Sequence, residues 1–486
     1  MAWFLIISMN VLMVSSETVP FSKSGGLADV IGALSFALSK TGTAVKVLMP
    51  MYSFIDKKGF KKGVSFEFDM LGERVAVSTR SKTVQNVEFV GLEHPYFTER
   101  SGIYGDTSFT PYPDNAERFS LFSLSVLPYI KASGFKADII HCHDWTTGLV
   151  PYIVKQAKEK IKTVYTIHNL AYQGEFSRYD AILSGIELCD ELFSGKGLSS
   201  RLNMMKAGIT FADKVTTVSP SYAEEITGSE QGCGLDWLLK ERQKDLSGII
   251  NGIDYKEWNP EKDKFFTPGF SAKNLEGKQK LKKAVLEEFV LSVDPDLPLI
   301  AMISRLADQK GFSELLNGSP CLLEQMLMKK NSNFIIIGTG DKRFEEKLKE
   351  LDNRYENLSA RIVFSNEVAH KVEGAADFFL MPSRYEPCGL NQMYSLHYGT
   401  LPIVHATGGL KDTVIDIDED KERGQGFVFS RMLPEEIEKA VDRAIGFYNS
   451  ASAEEFAKAR QRGMTEDFTW VKSASSYNDL YNSVAR

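Results

Sequence analysis

The 486-residue sequence predicts an α/β protein built from two doubly wound domains. Three observations carry that expectation. Short β-rich apolar runs alternate with stretches of helical periodicity, the pattern of βαβ crossovers and parallel sheets. The alternation occurs in two series, separated by Asn251-Gly252-Ile253-Asp254 and a polar stretch to about Asn274. The length suits two to four domains at roughly 100–200 residues each.

The first series opens on Val11-Leu12-Met13-Val14, which reads as a buried strand. A loop with Pro20 and Lys23-Ser24-Gly25-Gly26 follows. Leu27, Val30, Ile31, Leu34, Ala37 and Leu38 then recur at helical spacing. A strand returns over 45–49, which completes a βαβ unit. Further strands are expected at 139–142, 163–167 and 214–218. The second series supplies 299–303, 334–337, 361–364, 378–381 and 402–404. The boundary is placed after residue 254. Two such domains imply a cleft between them. Ligands of doubly wound sheets bind beyond the carboxyl ends of the strands, and pockets favour domain interfaces. Functional residues should therefore follow strands.

Composition narrows the function classes. Apolar residues make up 43% and charged residues 25%, near the average of globular proteins. A net charge of −7 argues against a nucleic-acid surface. The five cysteines, Cys142, Cys189, Cys233, Cys321 and Cys388, are scattered and odd in number. Neither a disulfide framework nor a zinc site is expected of them, and a reducing cytoplasm fits. The apolar start, 1–14, has no Lys or Arg before it and no clear cleavage site, and is too short to span a bilayer. No membrane association is expected. Met9 lies just before the first strand, so residues 1–8 read either as genuine sequence or as an extension from a misassigned start.

Five groups of residues could carry chemistry. In Lys23-Ser24-Gly25-Gly26-Leu27, two glycines and a helix start suit an anion; the alternative is an ordinary βα loop with a surface lysine. Arg305 and Lys310, after the strand at 299–303, could hold two phosphates or form a solvated basic loop. Glu386, in Arg384-Tyr385-Glu386-Pro387-Cys388-Gly389-Leu390, could accept from sugar hydroxyls, cap a helix or pair with Arg384. Gly408 and Gly409 open another helix and again suit an anion. Last come His141-Cys142-His143-Asp144-Trp145 and Thr166-Ile167-His168-Asn169. A metal site is conceivable there, but known spacings are absent; sugar binding, with Trp145 as an apolar platform, fits better. Any one of these histidines could equally be a satisfied core residue.

These same segments resemble the bacterial and plant glycogen/starch synthases over nearly the whole chain. Lys-x-Gly-Gly-Leu, His-Asp-Trp, Thr-x-His-Asn-Leu-Ala-Tyr-Gln-Gly, Thr-Val-Ser-Pro, Asn-Gly-Ile-Asp, Ser-Arg-Leu with Gln-Lys-Gly, and Arg-Tyr-Glu-Pro-Cys-Gly-Leu occur in the family's order. The resemblance implies the glycosyltransferase-B (GT-B) architecture of two Rossmann-like domains facing a central cleft. It implies a first domain over 1–254 on the glucan side, a second over 255–462 on the donor side, and a helix over 463–486 returning to the first. It implies that Lys23, Gly25 and Gly26 contact the donor phosphate and sugar, and that Arg305 and Lys310 bind the diphosphate. Glu386 would lie against the donor glucose, with Cys388, Gly389 and Leu390 beside its hydroxyls. His168 and Asn169 would touch the transferred glucose, Asp144 would lie near the reaction centre, Asn251 would line the cleft, and Gly408 and Gly409 would cradle the diphosphate. ADP-glucose would be the donor and an α-1,4-glucan the acceptor. Three positions depart from the family pattern. Asn391 stands where many relatives have Thr, and Phe364 replaces a Tyr that stacks on adenine. The second acid of a Glu-x7-Glu motif would fall at Tyr394.

The reaction so implied moves a glucosyl group from a diphosphate to a 4-hydroxyl with retention. It builds negative charge on the leaving phosphate, which Arg305, Lys310 and helix N-termini would stabilise. Those cations can stand in for a metal, so no metal or cofactor is expected. The alternatives are another GT-B nucleotide-sugar glucosyltransferase, or a non-catalytic glucan-binding homologue.

Overall fold

The computed structural model describes residues 9–106, 108, 110–291, 294 and 296–485. Residues 1–8, and with them the question of an extension, lie outside the described residues. The chain forms two compact units. One takes the chain up to Gly252 and again from Trp470, and the other is Ile253–Thr469. The sequence placed these crossings at 254 and 462. The return comes later because helix Ala453–Thr465 still buries Ala459 and Met464 in the second unit.

The first unit is organised by strands β1 (Asn10–Val14), β2 (Ala44–Pro50), β3 (Lys61–Met70), β4 (Glu73–Val84), β5 (Val87–Glu93), β6 (Ile139–His143) and β7 (Lys162–Ile167). Short strands β8 (Glu175–Phe176), β9 (Phe193–Ser194) and β10 (Arg201–Asn203) form a small separate sheet. Strands β11 (Lys214–Thr217) and β12 (Leu246–Gly248) complete the main one. Its order is β12-β11-β7-β6-β1-β2-β5-β4-β3.

The strands from β12 to β5 pair in parallel, as a continuous apolar run predicts when both faces are covered. In β1, Leu12 and Val14 enter one core and Val11 and Met13 the other, following the two-residue strand period. The second core also receives Leu27, Ile31 and Leu34 of helix Gly26–Lys40. Opposite them lie Trp470, Ala474, Tyr477 and Tyr481 of the C-terminal helix Trp470–Ala485. These four fall at helical spacing, so one apolar stripe anchors that helix in the first unit.

The antiparallel β3-β4-β5 extension was not anticipated. Its turns, Leu71-Gly72 and Gln85-Asn86, place both central residues at positive φ, +57° and +78°, then +47° and +67°. That is the geometry tight two-residue hairpins need, but Leu and Gln are not the residues that advertise it.

The second unit holds strands β13 (Leu299–Ile303), β14 (Asn333–Ile337), β15 (Leu358–Arg361), β16 (Phe378–Met381), β17 (Leu401–His405) and β18 (Phe427–Phe429). They form a parallel sheet in the order β15-β14-β13-β16-β17-β18. One strand is a correction. The expected strand at 361–364 lies three residues earlier, because β15 pairs Leu358 to Arg361 with Phe334 to Ile337 and ends where its partner ends. The Val363 N–H then turns back to the Arg361 carbonyl at 3.0 Å.

Each sheet reverses its winding once, at β1/β6 in the first unit and at β13/β16 in the second. Diverging connections leave a crevice at such a switch point. The loops that leave these four strands carry Lys23, Asp144, Arg305 and Glu386. Among the described residues, no helix is long and apolar enough to cross a membrane.

Candidate active site

In the first unit, β1 delivers the chain to Glu17, a residue the sequence reading passed over. Glu17 is 3% exposed. Its Oε2 accepts from the backbone N–H groups of Ser24 and of Gly25, the latter at 3.1 Å, and its Oε1 accepts from the Tyr104 hydroxyl at 2.8 Å. Burial nevertheless pushes this carboxyl above its ordinary range. The Gly25 N–H expected to meet a phosphate is therefore held by the chain's own carboxylate. Lys23 extends along the surface to Asp29, 2.7 Å away. A Cβ on Gly25 or Gly26 would meet nothing within 4 Å, so the packing of the chain does not itself require glycine there.

Strand β6, at the switch point, and β7 beside it bring the histidines together. His141 is pinned by the Tyr481 hydroxyl at 2.7 Å on Nδ1 and by Thr166 Oγ1 at 2.6 Å on Nε2. Both ring nitrogens are thus committed, which answers the metal reading of His141. Its ring packs against that of His143 at a 40° tilt, centroids 4.0 Å apart, and His143 Nδ1 lies 3.1 Å from His168 Nε2. Burial keeps all three rings uncharged at neutral pH, with His141 and His168 each pushed down to about 3 and His143 well below its ordinary value.

Asp144 follows β6 with φ 59° and ψ −179°. Its Oδ1 accepts from the His168 backbone N–H at 3.2 Å, and burial raises its carboxyl to about 7. Asn169 turns its Oδ1 to the Ala171 N–H at 3.1 Å. Asn251 is buried, and its Oδ1 has no hydrogen-bond partner among the described residues. Trp145 corrects an expectation. Its indole packs edge-on to Phe119 at 5.0 Å and beside Tyr104 and Phe176, and a Cβ on Gly174 would strike it at 2.4 Å. The ring belongs chiefly to the core rather than to an open platform.

In the second unit, the loops after β13 and β16 are laced together. The Arg384 N–H donates to the Gln309 carbonyl at 2.9 Å. Gly311 is obligatory here, since φ is +82° and a Cβ would lie 2.0 Å from the Pro382 carbonyl. Lys310 Nζ forms a short ion pair with Glu386 Oε2, and Ser383 Oγ donates to the same oxygen at 3.1 Å. Arg384 pairs with Glu314 instead, which removes the expected alternative of an Arg384–Glu386 pair. Arg305 is exposed, with one guanidinium nitrogen 3.1 Å from Gln309 Oε1.

Further along that loop, Cys388 is buried, Gly389 adopts φ +71°, and Leu390 leads into helix Asn391–His397. Asn391 Nδ2 holds the Ile303 carbonyl at 2.8 Å, tying that helix to the end of β13. Gly408 and Gly409 lie directly behind this segment. The Gly409 N–H donates to the Glu386 carbonyl at 3.1 Å, and a Cβ on either residue would come within 2.0 Å of the Glu386 or Cys388 carbonyl. The Gly409 amide expected to face a phosphate is therefore taken by Glu386, and the glycines are fixed by close backbone packing. Phe364 lies past the end of β15 and is 86% exposed. Tyr394 stacks on Trp258 at 3.9 Å, which also stacks on His370 at 3.8 Å and meets Tyr398 edge-on.

Among the described residues, no group of three or more His, Cys, Asp or Glu side chains is placed to hold a metal. A cavity of about 690 Å³ in the first unit is lined by Lys155, Lys162, Asp213 and Arg242. It opens at the amino end of β7 and shares no residue with the groups above.

Residues 10–241 match the family described as starch synthase catalytic domain, and 286–462 match glycosyl transferases group 1. The chain is 42% identical to a glycogen synthase of Anaeromyxobacter sp. (strain Fw109-5), over 98% of this chain and 100% of that protein. It is 38% identical to a glycogen synthase of Treponema denticola, over 97% and 98%. Among solved structures it is similar to the catalytic domain of starch synthase IV from Arabidopsis thaliana bound to ADP and acarbose. That match has a TM-score of 0.87 at 30% identity and covers 98% of this chain and 99% of that one. A sucrose-phosphate synthase from Thermosynechococcus elongatus shares the fold alone, with a TM-score of 0.62 at 17% identity over 98% of each chain.

Proposed function

The chain belongs to the glycogen and starch synthase family of GT-B glycosyltransferases, and from that premise we propose a donor, an acceptor and roles for its residues. The protein is a glycogen/starch synthase. Its donor is ADP-glucose, and its acceptor is the 4-hydroxyl at the non-reducing end of an α-1,4-glucan. The ADP in the Arabidopsis relative supports the donor.

The observation that carries the assignment of roles is the Lys310–Glu386 pair at the β13/β16 switch point. Lys310 and Ser383 both contact Oε2 of Glu386. Oε1 is then the oxygen that accepts from hydroxyls of the donor glucose. The Lys310 ammonium, held on that side by Glu386, and the exposed Arg305 guanidinium stabilise negative charge on the departing diphosphate. Preorganised cations matter most where charge develops in the transition state. Asp144 and His168, joined through the His168 N–H, belong beside the transferred glucose, as does Asn169. Lys23, Gly25 and Gly26 lie along the donor, with the glycines leaving room for a ligand against the backbone. Asn251 offers a buried acceptor, and Cys388, Gly389 and Leu390 shape the wall beside the sugar. Gly408 and Gly409 support Glu386 from behind. Retention without an enzyme nucleophile follows if the acceptor attacks on the face the diphosphate leaves, with the leaving phosphate taking the acceptor proton.

Radiolabelled glucose incorporation into glycogen from ADP-glucose and from UDP-glucose, each with and without EDTA, tests this reading. ADP-glucose should be the better donor and EDTA without effect. No incorporation from either donor would remove the assignment of substrates, and a preference for UDP-glucose would reverse the base.

A further inference from the structure

The buried histidine cluster fixes more than a position. His143 Nδ1 and His168 Nε2 are 3.1 Å apart, and burial keeps both rings uncharged. Between two neutral imidazoles, one nitrogen carries the proton and the other supplies the lone pair. Two tautomer pairs satisfy the contact, and His143 itself discriminates them. Its Nε2 is buried and has no hydrogen-bond partner among the described residues. Buried N–H groups without partners are rarer than under-satisfied acceptors. The proton of His143 therefore belongs on Nδ1, and that N–H donates to His168.

We infer that His143 is a positioning residue that holds His168 in its Nδ1–H tautomer, so that His168 offers the substrate an N–H donor and not a lone pair. With Nε2 of His168 accepting from His143, Nδ1 is the ring nitrogen left for a ligand. His143 is kept in place from behind. His141 packs against it, ring centroids 4.0 Å apart, and is itself clamped by Tyr481 at 2.7 Å and Thr166 at 2.6 Å. Tyr481 sits on the C-terminal helix Trp470–Ala485. The orientation of the imidazole is thus set by a chain of buried contacts that begins on the last helix of the protein. An N–H donor suits a sugar hydroxyl or ring oxygen, and a lone pair in its place would suit a general base. The functional half of this inference rests on the proposed contact of His168 with the transferred glucose; the tautomer itself does not.

Full-length protein with ¹⁵N-labelled histidine rings provides the test, because ring ¹⁵N shifts separate protonated from unprotonated nitrogens. The His168 signals are assigned by their loss in His168→Gln. They should show a protonated Nδ1 and an unprotonated Nε2; a protonated Nε2 or a charged ring overturns the inference, whichever sugar nucleotide proves to be the donor. Kinetics adds a second readout. His143→Asn keeps an N–H donor near the Nδ1 position and should retain most of kcat. His143→Leu removes that donor and should lower kcat on the order of tenfold, with a smaller change in donor KM. Equal losses in the two variants would reduce His143 to a packing role.

Discussion

Glu17 closes the Lys23–Gly26 turn from inside the protein, its Oε2 3.1 Å from the Gly25 backbone nitrogen. One buried carboxylate thereby satisfies two backbone donors and the Tyr104 hydroxyl. Glu17→Ala leaves the two backbone N–H groups without an acceptor, at about 1–3 kcal/mol for each that stays dry, while the Tyr104 hydroxyl keeps Ser16 Oγ at 2.9 Å. Glu17→Gln keeps a carbonyl for the two N–H groups. We expect the Ala variant to lose several degrees of Tm and to raise the donor KM, and the Gln variant to do both to a smaller degree. A fall in donor KM on losing the carboxylate would mean that Glu17 competes with the donor for these amides rather than shaping the turn.

Lys310 and Glu386 should behave as one unit. Lys310→Ala or Arg305→Ala is expected to lower kcat by about 10²–10³, the scale for losing one transition-state donor. The two differ in stability. Arg305 is exposed and its loss should leave Tm unchanged, whereas Lys310→Ala strands a buried carboxylate and should lower Tm. Adding Glu386→Gln to Lys310→Ala should recover Tm without recovering kcat. Wild-type kcat in a folded Lys310→Ala protein would sink the assignment.

How far the sequence reaches is visible residue by residue. The parallel strands were legible because continuous apolar runs such as Val11 to Val14 and Leu299 to Met302 are buried on both faces. The β3-β4-β5 extension was not, since its hairpins turn on Leu71 and Gln85 instead of the usual glycine and asparagine pairs. The strand at 361–364 was misplaced because Ile362, Val363 and Phe364 have strand propensity, while β14 has already ended. Motif glycines pointed to Gly408 and Gly409, but only coordinates show that the Gly409 N–H meets a carbonyl. Glu17 and His143 act through backbone groups or partners distant in sequence, and Ser383 through Glu386 three residues on, so pattern alone does not rank them. The signal for Glu17 was present: a carboxylate just after a buried strand, before a glycine turn. Tyr394, flagged as a missing acid, turns out to be a stacking partner of Trp258.

Phe364 offers a clean test of the base. At 86% exposure it contributes little to the core, so Phe364→Ala should leave Tm within about half a degree to a degree, as for surface substitutions generally. If its ring stacks on adenine, the variant should raise the donor KM by roughly 5- to 150-fold, the equivalent of the 1–3 kcal/mol typical of a base on an aromatic ring. Phe364→Tyr should keep the wild-type KM. An unchanged KM in Phe364→Ala would separate this ring from donor binding.

Asp144 should trade stability for activity. Its φ of 59° with ψ −179° lies in a region essentially confined to glycine, where other residues store on the order of 1–3 kcal/mol. The strain persists because the Asp144 N–H donates to the Thr166 carbonyl at 2.9 Å and Oδ1 accepts from the His168 N–H. Asp144→Gly relieves the strain and deletes the buried carboxyl, so Tm should rise while kcat falls. The charge can be separated from the strain by pH. Burial raises the Asp144 carboxyl from 3.8 to about 7, so the folded protein holds this proton more tightly than the unfolded chain does. Its contribution to stability is full below pH 3.8 and is lost as pH rises to about 7. Asp144→Asn keeps the side-chain oxygen and cannot titrate. Its Tm relative to wild type should therefore climb between pH 4 and 7 and level off above. A Tm difference constant across that range would place the Asp144 carboxyl back in its ordinary range, and with it outside the buried site.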